Sequence, residues 1–419
     1  MKDKVILAYS GGLDTTVIIP WLKENYDYDV IAVCIDVGQG DNWPVIKERA
    51  LKTGAAACYV VDAREEYCKE YVWPAVKGNC VYEDEYLLGT STARPLIGKI
   101  LVEYARQEKA VAICHGATGK GNDQVRFEMA MKAFAPDLKV IAAWRDPKWT
   151  LQSREDEMKF LEDRNIPVPM KKANSYSCDE NIWHISHEGL ELEETENEPK
   201  WENMLKETKL PEESSDGEYV KIDFVAGEAV AVNDKKMSPL EIMQELNAIG
   251  GRNGIGVIDL VENRVVGMKS RGVYETPGGT ILMYAHEQLD HLCLDRDTYH
   301  FKQHVSLRES ELIYDGKWFT SLMEGLMAFQ DKIEENVTGW VKLRLYKGTM
   351  RGAGSSSPYS LYNESIASFA TGDLYDHKDA DGFITLFGLP SKVRAMMEQK
   401  SGKGQAVINS DKLKKRPTE

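Results

Sequence analysis

Lys4-Val5-Ile6-Leu7-Ala8-Tyr9-Ser10-Gly11-Gly12-Leu13-Asp14-Thr15-Thr16 is a short apolar run that breaks into glycines and continues as an amphipathic stretch. A strand over 5–9 feeding a helix over 15–25 through a tight turn is the opening of a βαβ unit. Working outward, the rhythm repeats: 30–35 then 43–53, 57–61 then 63–72, a helix over 94–107, a strand over 110–114, a helix from Asp123 and a strand over 139–143. These segments predict an α/β fold built on a parallel, doubly wound sheet whose strands end along one edge. Pro20 removes a backbone donor inside the first helix and predicts a kink or an early end there.

The string Ser10 to Thr16 lies where such a sheet binds its ligand. Two glycines let the backbone turn tightly and bring N–H groups forward, and the helix start adds unpaired donors and a positive dipole end. A phosphate fits that geometry. A plain Gly-rich turn with Asp14 or Thr15 as helix cap is the alternative. The string lacks the Lys-Ser/Thr ending of a Walker loop and the spacing of GxGxxG, which disfavours a P-loop NTPase and a dinucleotide-binding dehydrogenase. Hydroxyls, amides and one carboxylate from Ser10, Gly11, Gly12, Asp14, Thr15 and Thr16 suit phosphate groups and a Mg²⁺ oriented through water.

The chain has 419 residues, 42% hydrophobic and 28% charged, which excludes a stapled mini-protein and global disorder and predicts two or three domains. Its 52 basic against 67 acidic residues leave a net charge of −15, so nucleic acid is an unsuitable main partner. The seven cysteines are scattered without a CxxC pair and read as reduced thiols. No leader or membrane segment is legible, and a soluble, cytoplasmic protein with no membrane partner is expected.

Prolines 167 and 169 break the βαβ rhythm, 188–218 is acidic and aperiodic, and the pattern from 219 to 284 is mixed α+β. Helices over 290–308 and 321–336, a strand over 339–346 and a helix over 390–399 follow, then a lysine-rich tail. We therefore expect a parallel-sheet domain over 1–167, a second α+β domain over 168–362, a helical C-terminal segment over 363–399 and a disordered tail over 400–419. The histidine pairs 184/187, 286/291 and 300/304 have no zinc-site spacing, and no protein-bound metal centre is expected. Trp144-Arg145-Asp146-Pro147-Lys148-Trp149 interleaves basic and aromatic residues, but the acidic whole argues against a nucleic-acid patch.

The loop resembles the pyrophosphate loop of the N-type ATP pyrophosphatases. Later strings are similar to the argininosuccinate synthase family: Tyr86-Leu87-Leu88-Gly89-Thr90-Ser91 with Ala93-Arg94-Pro95, His115 through Phe127, Ser177-Cys178-Asp179-Glu180-Asn181 with His184-Ile185-Ser186, and Val261 through Arg264 with Gly267 through Gly272 and Tyr274-Glu275-Thr276-Pro277. The likeness runs from about residue 4 to about 398. It implies an ATP-dependent ligase that joins citrulline and aspartate through a citrullyl-adenylate and releases AMP and pyrophosphate.

By the same likeness, ATP lies along Ala8, Tyr9, Ser10, Gly11, Gly12, Leu13, Asp14, Thr15 and Thr16 with Ile35 and Gly116. Aspartate falls to Thr118, Asn122 and Asp123. Citrulline falls to Tyr86, Ser91, Asn122, Arg126, Ser177, Ser186, Glu262 and Tyr274. Asp14 and Asp123 are the candidate catalytic residues. A fork from Arg126 suits the citrulline carboxylate, Glu262 its ammonium, and hydroxyl or amide groups its neutral ureido end. Thr16 departs from the serine of the family pattern while keeping its hydroxyl. The resemblance also implies that 1–167 binds the nucleotide, that 168–362 closes over substrate, and that a homotetramer is joined through the C-terminal arm over 363–399. Two rivals remain: a non-catalytic ATP-binding protein, and another adenylating, amidating enzyme of the same superfamily.

Overall fold

The computed structural model describes residues 2–119, 121–168, 176–214, 216–367 and 376–402. One compact unit runs to Leu361 and a second begins at Tyr362. Part of the proline-marked boundary, at Pro169, and the tail from 403 onward lie outside the described residues.

In the first unit, β1 (Lys4–Ala8), β2 (Asp29–Asp36), β3 (Ala57–Asp62), β4 (Ala112–His115) and β5 (Lys139–Ala142) form a parallel sheet in the order β3-β2-β1-β4-β5. Both faces are covered: Val5 and Leu7 join a cluster with Val17, Ile18 and Leu22, whereas Ile6 faces a second cluster with Leu96, Ile100 and Ile113. That two-sided burial is why the strands read as continuous apolar runs. The order reverses between β1 and β4, so the loops leaving these two strands face one crevice.

The first helix, Leu13–Tyr26, does not end at Pro20. The lost bond to the Thr16 carbonyl and the ring clash cost about 3 kcal/mol. Val17, Ile18, Ile19, Trp21 and Leu22 are buried around it, each worth about 1.5–3 kcal/mol, and together they outweigh the defect. The expected helix over 63–72 is a run of Arg64–Tyr67, a π turn at Cys68–Val72 and Trp73–Lys77. The helix expected from residue 94 starts already at Gly89 and runs to Glu108.

β6 (Ser177–Glu180) and β7 (Ile185–Glu188) form a hairpin, and β8 (Glu218–Val225), β9 (Glu228–Val232) and β10 (Lys235–Lys236) form a meander. β11 (Val257–Asn263) and β12 (Lys269–Glu275) extend the hairpin to a four-stranded antiparallel sheet, β11-β12-β7-β6. β13 (Gly339–Tyr346) and β14 (Thr349–Ser356) extend the meander to β10-β9-β8-β13-β14.

Instead of one helix over 290–308 there are two, Pro277–Cys293 and Arg296–Tyr314. The break has a local cause: the Asp295 carboxylate accepts from the amides of Asp297 (3.0 Å) and Thr298 (3.1 Å) and so starts a new helix. His286, Asp290 and Glu334 are buried within 4.8 Å of one another, but the Lys302 ammonium already bonds Asp290 (2.5 Å) and Glu334 (2.6 Å) where a metal would sit. Of the aromatic residues in 144–149, Trp149 is core and Trp144 packs against it: the Trp149 ring lies 5.3 Å from Trp21 and 5.5 Å from Trp144. In the second unit, helices Asp379–Phe387 and Leu389–Lys400 bury no residue. No described helix is long and apolar enough to cross a membrane.

Candidate active site

The loop after β1 is shaped by its glycines. Gly11 has φ +76°, and a Cβ there would lie 2.9 Å from Ile46 Cγ1. Helical bonding starts with Thr16 N–H to the Gly12 carbonyl (3.0 Å), which leaves the amides of Leu13, Asp14 and Thr15 without helical partners. Ser10 and Asp14 are exposed beside them, and Ser10 Oγ lies 3.2 Å from Thr15 Oγ1. Arg49 donates to the Gly11 carbonyl from the next helix and fixes the turn.

Four expected ATP residues lie beneath the loop or turn inward. Thr16 is fully buried, donates to the Gly12 carbonyl (2.7 Å) and meets Tyr9 Oη at 3.1 Å, so its hydroxyl braces the loop from below instead of facing a phosphate. Burial pushes the Tyr9 phenol up to about 12. Leu13 is buried and Ala8 half-buried, which leaves them backbone contacts only. Gly116 comes from the neighbouring β4 loop to the same place: a Cβ there would lie 3.4 Å from Thr15 Cγ2 and 3.0 Å from Ile18 Cδ1. Ile35 sits buried at the end of β2. One group that the sequence did not single out adjoins the loop. Glu157, buried on helix Arg154–Glu162, is pushed up to about 8 by burial and by its hydrogen bond to Asp14, and its Oε1 has no partner.

A cavity of about 260 Å³ opens where the 116–122 loop, the start of helix Asp123–Phe134 and the pocket face of the β11-β12-β7-β6 sheet meet. Tyr86, Thr118, Asn122, Asp123, Arg126, Ser177, Ser186, Glu262 and Tyr274 all line it, which brings sequence positions up to 188 residues apart into one cavity. Strand alternation explains the sheet's share. The pairs Asp179↔Ser186 and Ser186↔Tyr274 put these three side chains, with Ser177 and Glu262, on one face. Ser91 is the exception: fully buried with its Oγ unpartnered, it is not part of the wall.

Asp123 is the first residue of its helix, with Asn122 rather than itself at the cap position. Its carboxylate is gripped by Arg94, with Nε at 3.0 Å and Nη2 at 2.9 Å, and by Arg126 Nη1 at 3.3 Å. Burial alone would raise this acid, yet the two guanidiniums hold it below the ordinary carboxylate range. Arg94 also reaches Asp179 (2.5 Å) and so ties the parallel sheet's helices to β6.

Arg126 itself lies 3% exposed. It donates Nε to the Tyr314 carbonyl (2.9 Å), stacks 4.8 Å over the Tyr314 ring, and leaves Nη2 with no partner. Glu262, 5% exposed, leaves Oε2 with no partner, and its carboxyl is pushed up to about 7, chiefly by burial. Asn122 is internally engaged, donating to Tyr314 Oη (2.9 Å) and accepting from the Val265 amide (2.9 Å), which docks the 263–265 turn on the helix start. Arg94 and Tyr314 are site residues absent from the sequence reading. Arg94 stood in a quoted string, and only its carboxylate partners reveal its role; Tyr314 has no motif around it.

Comparison with known proteins identifies the family to which the chain is similar. The Arginosuccinate synthase N-terminal HUP domain description matches residues 4–167, and the Arginosuccinate synthase C-terminal domain description matches 176–394. The argininosuccinate synthase of Lachnospira eligens is 60% identical over 404 residues, 96% of this chain and 99% of its own. That of Brachyspira hyodysenteriae is 59% identical with the same coverage, and that of Carboxydothermus hydrogenoformans is 58% identical over 95% of this chain and 99% of its own.

Proposed function

The chain belongs to the argininosuccinate synthase family, and from that premise we propose how its residues divide the ligation. The activity is that of an ATP-consuming ligase of arginine biosynthesis, with citrulline and aspartate as the amino-acid substrates. The observation that carries the assignment is the pair of buried, oppositely charged and unpartnered atoms, Arg126 Nη2 and Glu262 Oε2, in one cavity. Buried polar atoms are normally paired, and a free guanidinium N–H beside a free carboxylate oxygen is what the carboxylate and ammonium of an amino acid require. Citrulline seated there has its neutral ureido end toward the hydroxyl-lined part of the wall, with Tyr86, Ser177, Ser186 and Tyr274.

The ureido oxygen then attacks the α-phosphorus of ATP held along Ser10–Thr16, Ile35 and Gly116. Pyrophosphate leaves into the unpaired amides of Leu13, Asp14 and Thr15, which stabilise the charge that develops there. Exposed Asp14 and the unpartnered Oε1 of Glu157 suit a hard cation held near the phosphates. Mg²⁺ bound there supplies charge neutralisation to the leaving pyrophosphate. Aspartate lies against Thr118, Asn122 and Asp123, and its amine displaces AMP from the activated carbon. Held low by Arg94 and Arg126, Asp123 is a weak base, and it orients the amine rather than taking its proton. Ser91 acts behind the wall, through packing.

We assign residues 1–167 to nucleotide binding, 168–362 to the closing synthetase domain and 363–399 to an arm that joins a cytoplasmic homotetramer. The test is release of AMP and pyrophosphate from ATP and Mg²⁺ with each amino acid omitted in turn. Release that needs both, with a product of argininosuccinate mass, is expected; ATP binding without release in any combination overturns the reading.

A further inference from the structure

On the face of the β11-β12-β7-β6 sheet opposite the substrate-lining side chains, a second constellation is built. Cys178 on β6 is paired in register with His187 on β7, and its Sγ lies 3.4 Å from His187 Nδ1. The other ring nitrogen, His187 Nε2, lies 2.7 Å from Glu275 Oε1 on β12. Glu275 is fully buried and fixed by three amides, those of Lys206 (2.9 Å), Glu207 (2.9 Å) and Thr208 (2.7 Å). Anchored carboxylate, imidazole and thiol thus run in sequence across three strands. A carboxylate on one imidazole nitrogen keeps the ring protonated toward the thiol on the other, and this favours the thiolate.

The ligation places no demand on this relay. Other cysteines do not share it: Cys34, Cys58, Cys68, Cys80, Cys114 and Cys293 are all buried, while Cys178 is part-exposed and borders the cavity wall. Burial disfavours ionisation of Cys178, but the hydrogen bond and charge of His187, with Lys206 beyond it, bring the thiol below its usual value, and His187 is carried up to about 9. Cys58 is also held low, by Cys34, but lies buried in the parallel sheet.

We propose that Cys178 is a nucleophilic modification site, primed by His187 and Glu275, that takes small soft electrophiles and low-molecular-weight disulfides. In the exchange, Sγ attacks one sulfur of the disulfide; the Cys178–sulfur bond forms as the disulfide bond breaks. The departing thiolate takes the electron pair and a proton from solvent, His187 keeps its proton, and Cys178 is oxidised as the leaving half is reduced. A thiol in excess reverses the step.

The charged groups around the sulfur are His187 from β7, Glu275 from β12, Glu180 from β6, paired with Lys206, and the Tyr176–Glu191 hydrogen-bonded pair on the far side of His187. The test is alkylation of the full chain by iodoacetamide from pH 5.5 to 9, with sites mapped by mass spectrometry, and addition of glutathione disulfide in parallel. An ordinary thiol is about 1% ionised at pH 6.5. Cys178 is expected to label first, roughly tenfold faster than free cysteine at that pH, and to gain one glutathionyl group that dithiothreitol removes. His187→Gln and Glu275→Gln, each checked for native circular dichroism, are expected to slow labelling at pH 6.5 by roughly tenfold. Labelling of Cys178 no faster than free cysteine, with a rate still climbing through pH 8.5 in the unsubstituted protein, or labelling of Cys58 first, overturns the proposal.

Discussion

Arg126 and Glu262 carry opposite charges into the same cavity, and the consequence for citrulline is a pH dependence with a definite sign. The Glu262 carboxyl, which faces Arg126, Tyr314, Glu188 and Arg264, is pushed up to about 7 by burial. An ammonium partner needs the ionised form. As pH falls below about 7, the KM for citrulline is therefore expected to rise, approaching tenfold per pH unit, at saturating ATP and aspartate. Glu262→Gln is expected to raise KM outright and to flatten the profile between pH 5.5 and 8.5; an unchanged slope in that variant removes Glu262 from the site. Asp123 gives a second prediction. A charged hydrogen bond from the aspartate amine to its carboxylate is worth about 1.5–3 kcal/mol, so Asp123→Asn is expected to raise the KM for aspartate by ten- to a hundredfold. The kcat at saturating aspartate is expected to stay within about tenfold, whereas a collapse of kcat would make Asp123 the base. Arg126, Glu262 and Asp123 were legible because they stand inside long strings whose types match an amino-acid substrate. Arg94, Tyr314 and Glu157 were not, because each acquires its role only from a partner distant in sequence: Asp179, Asn122 and Asp14 respectively.

Elements of the parallel sheet were legible in outline because apolar runs and amphipathic stretches alternate within a few residues of one another, and β1 to β5 appear where the pattern puts them. The antiparallel sheets were not, since β8 takes β13 as a neighbour, pairing Ile222 with Val341, and no local signal spans that separation. Nor did a short-range pattern show how tightly the elements touch. A Cβ on Gly89, at the start of helix Gly89–Glu108, would lie 2.0 Å from His184 Cγ. His184 is buried, hydrogen-bonded to Thr90 (3.0 Å) and near the rings of Tyr86 and Tyr274, so it has nowhere to retreat. Gly89→Ala is accordingly expected to cost about 3 kcal/mol, read as a lower urea midpoint with an unchanged slope. Gly11→Ala tests the other loop. Strain from φ +76° and the contact with Ile46 is expected to raise the KM for ATP while leaving citrulline binding, measured without nucleotide, within about twofold. Equal losses for both ligands would mean that the loop and the cavity are one folding unit rather than two subsites.

At the scale of the molecule, the second unit exposes side chains that a soluble chain ordinarily buries. Phe383, Leu386 and Phe387 are 64%, 73% and 76% exposed, and Val393, Met396 and Met397 on the next helix are more than half exposed. Covering them in another copy is worth about 1.5–3 kcal/mol for each large side chain before the cost of ordering, enough to hold an assembly at micromolar concentration. Each chain also carries −15, so copies brought together repel over a distance that salt shortens. An apolar contact opposed by like charge has a recognisable signature. The full chain is expected to sediment as a tetramer that added salt strengthens, and a chain ending at Leu361 as a smaller species at every salt concentration. Phe387→Asp in the full chain is expected to shift the equilibrium the same way with the ligand-binding residues intact, which separates loss of the arm's contact from loss of folding. A tetramer that survives removal of the second unit would place the interface on the first unit, and the exposed phenylalanines would then need another partner.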